Sequence, residues 1–184
     1  MMERETITAC LTGEGEEFRL IVNNYQSQVM ALAVNILGNR EDAEDACQET
    51  FVQVFRHLSA YDPARNFRTW IFTILYRRCL DSIRRKRRFR NFVRRAQGEP
   101  SQSMVTPPAD PPGGGIAGEE IIRLLRPKER TALTLWANEG LTAAEIGAVI
   151  ECAPSTARVY LFNARRKLKA LMEERKNHGP LGVR

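Results

Sequence analysis

Arg158, Phe162 and Arg165 follow one another at steps of four and three, which puts two guanidinium groups and a ring along one helical face. Arg is the side chain that most often reads guanine in the major groove, so such a face suits duplex DNA. A second group combines Tyr61, Phe67 and Trp70 with Arg65, Arg68 and Arg77, and RRKRRFRNFVRR follows at residues 84–95. Rings that stack on bases, beside cations that hold phosphates, are the chemistry of single-stranded nucleic acid. Phe67 and Trp70 equally fall on the apolar stripe of their helix, and spacing alone does not choose between stacking and core. A third group, EDAEDACQE at residues 41–49, has five acidic residues and no basic one, against eight basic and no acidic residue in 84–95. Segregated charges point to two different partners, one of them a polyanion. The net charge of +6 agrees with that.

The same inventory predicts no catalytic centre. Cys10, Cys47, Cys79 and Cys152 lie far apart without a C-x-x-C pair, and His57 and His178 do not join them. Glu41, Asp42, Glu44, Asp45 and Glu49 spread around a helix rather than converging, which argues against a metal enzyme. No catalytic residue, metal or cofactor is expected, and the chain does not read as an enzyme. The cysteine usage is that of a reducing compartment, with Cys47 and Cys79 as small core residues. No apolar run reaches the length of a membrane span, and MMERETITAC lacks the form of a signal peptide. The expectation is a cytoplasmic protein with no membrane insertion.

The elements that must position these residues read as helices throughout. In LTAAEIGAVIECAPSTARVYLFNARRKLKALM (141–172), Thr142 and Glu145 form a capping box that starts one helix. Ile146, Val149 and Ile150 form its buried stripe. Glu151, Cys152 and Ala153 make a turn, and Pro154 suits the first position of the next helix. There Ala157, Leu161, Ala164, Leu168 and Leu171 trace the inner face. Two helices so joined make a helix-turn-helix, a device for placing side chains in the major groove. Upstream, Phe18, Ile21, Val22, Tyr25, Val29, Leu32, Ala33 and Ile36 trace a helix ending near Gly38, and Asn39 can cap the next. Its inner face reads Ala43, Ala46, Cys47, Thr50, Phe51, Val54, Phe55 and Leu58. Residues 59–66 read as a loop. Phe67, Trp70, Ile71, Ile74 and Leu75 open a third helix that runs into the basic segment.

Five Pro and five Gly within residues 96–118 leave little to bury there and predict a flexible linker. The 184 residues thus divide into a tail (1–13), a helical domain (14–95), the linker, a helix-turn-helix domain (119–176) and a second tail (177–184). The fold class is all-α, two small helical domains on a Pro/Gly-rich joint. In the second domain a short helix from Glu119 and one from Lys128 to Glu139, stopped by Gly140, precede the helix-turn-helix.

Taken together, these segments resemble the bacterial RNA polymerase sigma factors of the extracytoplasmic-function type, the two-domain members of the sigma-70 family. DAEDACQETFVQVF (42–55) is similar to the family's segment that docks on the clamp helices of the polymerase largest subunit. NFRTWIFTILYRRCLDSIRRKRR (66–88) resembles the segment that recognises and opens the minus-ten element. LRPKERTALTLWANEGLTAAEIGAVIECAPSTARVYLFNARRKL (125–168) resembles the minus-thirty-five reading domain. The resemblance implies polymerase docking through Asp42, Asp45, Gln48, Glu49 and Val52. It implies minus-ten contacts from Tyr61, Arg65, Phe67, Arg68, Trp70, Arg77, Arg84, Arg85, Arg87 and Arg88, with residues 59–66 around a flipped base. It implies minus-thirty-five contacts from Ser155, Thr156, Arg158, Val159, Phe162, Asn163, Arg165 and Arg166. Arg158 is expected at base edges, and Arg166 with Lys167 at phosphates. The implied partners are core RNA polymerase, promoter DNA and an anti-sigma factor, with no obligate homo-oligomer.

Some positions depart from the family pattern. Arg77 stands where many members have Asn, and Val159 and Asn163 where polar and basic residues are common. Ala153 replaces the usual Ser or Thr cap. Glu151 replaces a common Gly, from which the sequence predicts a turn that does not need positive φ. The rival reading is a stand-alone helix-turn-helix regulator with a helical sensor domain. It leaves unexplained an acidic helix followed by an aromatic and basic one.

Overall fold

The structure, a computed structural model, describes residues 7, 9–10, 17–97 and 125–177, and all their regular elements are helical. The chain divides into two units, Met1–Pro111 and Pro112–Arg184. The expected linker from residue 98 on, the expected helix from Glu119 and the tail from residue 178 lie outside the described residues.

The first unit holds α1 (Phe18–Leu37), α2 (Arg40–His57), a 3-10 turn (Leu58–Ala60) and α3 (Phe67–Ala96). Gly38 closes α1 in the left-handed conformation at φ 67°, its N–H donating to the Val34 carbonyl. The Asn39 side chain then accepts from the Glu41 N–H at 2.8 Å, so two helices join through two residues. Glu41 and Asp42 in the first turn of α2, and Arg56 and His57 in the last, complement its dipole. Asn66 caps α3 by accepting from the Thr69 N–H at 3.1 Å. Val29, Leu32, Ala33, Ala43, Val54, Phe67, Ile71, Phe72, Leu75 and Cys79 make the core. Thr50 is buried among them and satisfied, donating to the Ala46 carbonyl at 2.6 Å.

Two details differ from the sequence reading. Phe55, expected inside, is 55 % exposed and packs edge-to-face with Phe18, ring centroids 5.1 Å apart. Cys47 and Phe51 on the same edge are half-buried. The apolar stripe of α2 is wider than the surface α1 and α3 can cover, and this edge rims an open groove between α1 and α2. Ile7, in the expected tail, is helical and 5 % exposed.

The second unit holds α4 (Pro127–Glu139), α5 (Ala143–Val149) and α6 (Pro154–Asn177). Leu125, Leu133 and Ala164 pack together with Leu168 against them. Ile146, Val149, Ile150, Ala157 and Leu161 fill the angle between α5 and α6. The capping box of α5 is present: Thr142 Oγ1 accepts from the Glu145 N–H at 3.3 Å and the Glu145 carboxylate from the Thr142 N–H at 2.8 Å.

The turn between α5 and α6 corrects the sequence reading. Glu151 adopts φ 55°, the only positive φ of a non-Gly residue among the described residues. The turn does need the left-handed conformation, and Glu151 bears its steric cost. The Cys152 N–H donates to the Gly147 carbonyl at 2.9 Å, which folds the turn tightly over α5. A Cβ on Gly147 would lie 2.7 Å from the Cys152 carbonyl oxygen, so glycine is needed there for close approach. The glycine requirement of this turn sits four residues earlier than its positive φ. Ala153 gives its carbonyl to the Ala157 N–H at 3.1 Å, and Pro154 begins α6.

Candidate functional site

In the first unit the acidic face of α2 and the basic part of α3 lie side by side. Asp45, Gln48, Glu49 and Val52 are exposed, Val52 by 47 %. Asp42 is not. Its side chain is 19 % exposed and ion-paired with Lys86, so the structure turns it toward α3 instead of outward. Glu49 stands 4.0 Å from Arg85. These groups line a cleft of about 300 Å³ between the two helices. The opposite charges read as two separate surfaces in the sequence therefore meet along one seam, and part of each neutralises the other.

The aromatic group comes together at the start of α3. Tyr61 lies 5.0 Å from Phe67 and 5.1 Å from Trp70, and Phe67 lies 5.5 Å from Trp70, centroid to centroid. Tyr61 and Trp70 are half-buried, whereas Phe67 is 2 % exposed and also packs on Tyr25. Phe67 therefore belongs to the core and cannot offer its face to a base; it backs the two rings that can. The Tyr61 hydroxyl donates to the Arg65 carbonyl at 2.5 Å, and Asp62 accepts from the Ala64 N–H at 2.9 Å. The segment between the 3-10 turn and α3 is thus held by its own polar groups. Arg65 is exposed and 3.5 Å from Asp62, Arg68 is half-buried and Arg77 exposed. Arg84, Arg85, Arg87 and Arg88 are exposed further along α3, with Arg84 3.4 Å from Asp81. From Trp70 to Arg88 the helix runs about 27 Å.

In the second unit α6 turns Ser155, Arg158, Val159, Phe162, Arg165 and Arg166 outward, Val159 by 54 % and Phe162 by 64 %, while Thr156 and Asn163 are half-buried. Arg165 stacks over the Trp136 ring of α4 at 3.8 Å, and Arg166 lies 5.9 Å from the Phe162 ring. Lys167, expected at phosphate, instead reaches Glu129 at 2.6 Å. Glu129 is nearly fully buried and also accepts the Arg126 N–H at 3.1 Å. Lys167 therefore anchors α6 to α4. The Arg165 contact of Trp136 and the Lys167 contact of Glu129 leave no signal in local spacing, because each partner lies on a different helix.

The cysteines behave as packing residues. Burial pushes the Cys79 thiol up to about 12 and, with the charge of Glu44 adding, Cys47 up to about 11. No cluster of His, Cys, Asp or Glu among the described residues could hold a metal ion, and no helix there is long and apolar enough to cross a membrane.

Known families account for this arrangement. Residues 21–89 match the sigma-70 region 2 model and residues 119–168 the sigma-70 region 4 model. The ECF RNA polymerase sigma factor SigE of Mycolicibacterium smegmatis is 30 % identical over 180 residues, covering 91 % of this chain and 68 % of that protein. The chain belongs to the ECF sigma factors. SigW of Bacillus subtilis, another ECF sigma factor, is 25 % identical over 95 % of this chain and 98 % of its own. Two solved structures share the fold. The sigma factor RpoE, crystallised with the anti-sigma factor NepR from Bartonella quintana, aligns with a TM-score of 0.69 at 22 % identity, over 86 % of this chain and 98 % of its own. CnrH, solved with the cytosolic domain of CnrY, aligns at 0.67 and 23 % identity, over 93 % and 97 %. As a sigma factor the chain directs RNA polymerase to promoters for transcription initiation. Sigma factors are non-enzymatic regulatory proteins, and the stand-alone regulator is the less favoured reading.

Proposed function

We propose that the two units divide this work, with residues 14–95 docking on core polymerase and opening the minus-ten element, and 119–176 reading the minus-thirty-five element across a linker at 96–118. Polymerase docking falls to Asp45, Gln48, Glu49 and Val52, an exposed acidic rim with an apolar centre; charges steer the encounter and the desolvated centre holds it. Asp42 contributes by bracing α3 through Lys86. At the minus-ten element Tyr61 and Trp70 stack on unpaired bases, Phe67 supports them from the core, and Arg65, Arg68, Arg77, Arg84, Arg85, Arg87 and Arg88 hold the backbone. On α6, Arg158 reads a base edge, with Ser155, Thr156, Val159, Phe162 and Asn163 around it, while Arg165 and Arg166 meet phosphate. The observation that carries this reading is the aromatic cluster of Tyr61, Phe67 and Trp70 at the head of the long helix α3, whose basic part lies along the acidic rim of α2.

We further propose that the protein works in the cytoplasm without catalysis of its own and is held there by an anti-sigma factor. RpoE was crystallised with one, and its fold is this fold. Reversing the charges of Asp45 and Glu49 to Lys tests the docking face. The double variant should keep its helical circular dichroism and stop co-migrating with core polymerase. Co-migration equal to wild type would overturn the assignment.

A further inference from the structure

The region 2 match ends at Phe89, and the last two turns of α3 run beyond it to Ala96. Lys86 pairs with Asp42, in the first turn of α2, so everything beyond it on α3 runs past the start of α2. The face that packs inward through Ile71, Leu75 and Cys79 continues past that point as Phe89 and Val93, with Phe92 beside them. There Phe89 and Phe92 stand exposed, while Val93 is half-buried. Phe89 is 67 % exposed and Phe92 71 %, the two most exposed large apolar residues among those described. Their spacing of three residues sets the rings side by side. Arg88 and Arg95 flank the stripe on one side and Arg90 on the other, and no acidic residue occurs between Arg84 and Arg95.

We propose that Phe89 and Phe92 form a second stacking platform for single-stranded promoter DNA, about 30 Å along α3 from the Tyr61–Trp70 cluster. The charge selects the occupant. An apolar stripe between arginines on both sides fits a polyanion, and rings at this exposure offer their faces to unpaired bases, which duplex DNA keeps stacked. The platform lies on the same helix as Arg84, Arg85, Arg87 and Arg88, and Arg88 borders it directly. It thus rests on the reading that this part of α3 faces DNA. It adds a base-contacting role to what would otherwise be a phosphate clamp. The consequence is a longer contact with the opened strand than region 2 alone would make.

The test uses the full chain and a labelled oligothymidylate, with duplex DNA of the same length and anionic phosphatidylglycerol vesicles as the other probes. Replacing both rings, Phe89→Leu with Phe92→Leu, keeps apolar area and helix propensity and removes stacking. Affinity for the single strand should fall about tenfold or more with the salt slope unchanged, and Phe89→Trp with Phe92→Trp should restore it. Arg87→Gln with Arg88→Gln should instead lower the salt slope. If that slope does not move while the Leu pair still loses affinity, the phosphate reading fails and the platform stands. If the Leu pair binds the single strand as wild type does, the platform is wrong. Equal loss on duplex and single strand overturns it too, and so does a loss confined to vesicles, which would make the helix end a lipid contact.

Discussion

Lys167→Gln separates an anchor from a DNA contact. In the structure Lys167 Nζ lies 2.6 Å from a Glu129 carboxylate that is 4 % exposed, and the same oxygen accepts the Arg126 N–H at the start of α4. Removing one partner of a fully buried ion pair costs about 3–5 kcal/mol. Lys167 is itself 36 % exposed, so water can reach the orphaned carboxylate in part, which reduces the expected loss to about 2 kcal/mol. For a unit of this size that is a fall in midpoint of roughly 10 °C. The two tryptophans, Trp70 and Trp136, lie in different units, so in a Trp70→Phe background the fluorescence of Trp136 reports unfolding of the second unit alone. DNA affinity of the folded variant should keep its salt slope, whereas Arg166→Gln should lower the slope by about 0.9, one phosphate contact. An unchanged midpoint with a slope lowered by about 0.9 for Lys167→Gln would refute the anchor and restore Lys167 to the DNA face.

Three further outcomes follow from named contacts. Glu151→Gly should stabilise the second unit by about 0.5–1 kcal/mol, since it removes the left-handed strain at φ 55° and gives back part of that in chain entropy; a lower unfolding midpoint would contradict the strain. Trp136→Leu should weaken binding to minus-thirty-five DNA several-fold by releasing the Arg165 guanidinium that stacks on the ring at 3.8 Å, and Arg165→Gln should add little on top; additive losses would mean the two act separately. Cys79, raised from 9.0 to about 12 by burial, stays protonated in the fold and ionises in the unfolded chain from pH 9 upward. Its contribution to stability is therefore full below pH 9 and is lost as pH climbs toward 12, and Cys79→Ala should flatten that decline in a pH series of unfolding midpoints. A decline as steep in the variant as in wild type would exclude Cys79 as its source.

The sequence discloses most where the physics is local. Helix starts at Asn39, Thr142 and Pro154, and the stop at Gly38, could be read because capping and left-handed closure act within a few residues. The inner stripes of α1 and α6 were legible for the same reason. What stayed hidden depends on which helix lies opposite. Phe55 fits the apolar period of α2 but sits at the margin of its packing, 55 % exposed beside Phe18. The charges of Asp42, Glu49, Arg85 and Lys86 looked like two surfaces because nothing local says that α2 and α3 bring them together. Phe67 could be assigned to base stacking or to core, and only its packing on Tyr25 decides for the core. At the helix-turn-helix turn the absence of Gly at 151 suggests freedom from positive φ, and the fold does not grant it. The close approach of Gly147 to Cys152 shows that the turn is tight all the same, with Glu151 carrying the strained angle.

The central claim, that this sigma factor opens promoters through the aromatic cluster at the head of α3, is tested most directly by transcription with core RNA polymerase on genomic fragments, with start sites sequenced. Wild-type chain should give a defined set of starts sharing one upstream sequence. Tyr61→Ala should lose transcripts and permanganate-reactive thymines at those starts while still forming closed complexes, and a promoter melted in advance should recover transcription. Starts without a shared upstream sequence, or a Tyr61→Ala defect that persists on pre-melted DNA, would contradict the account.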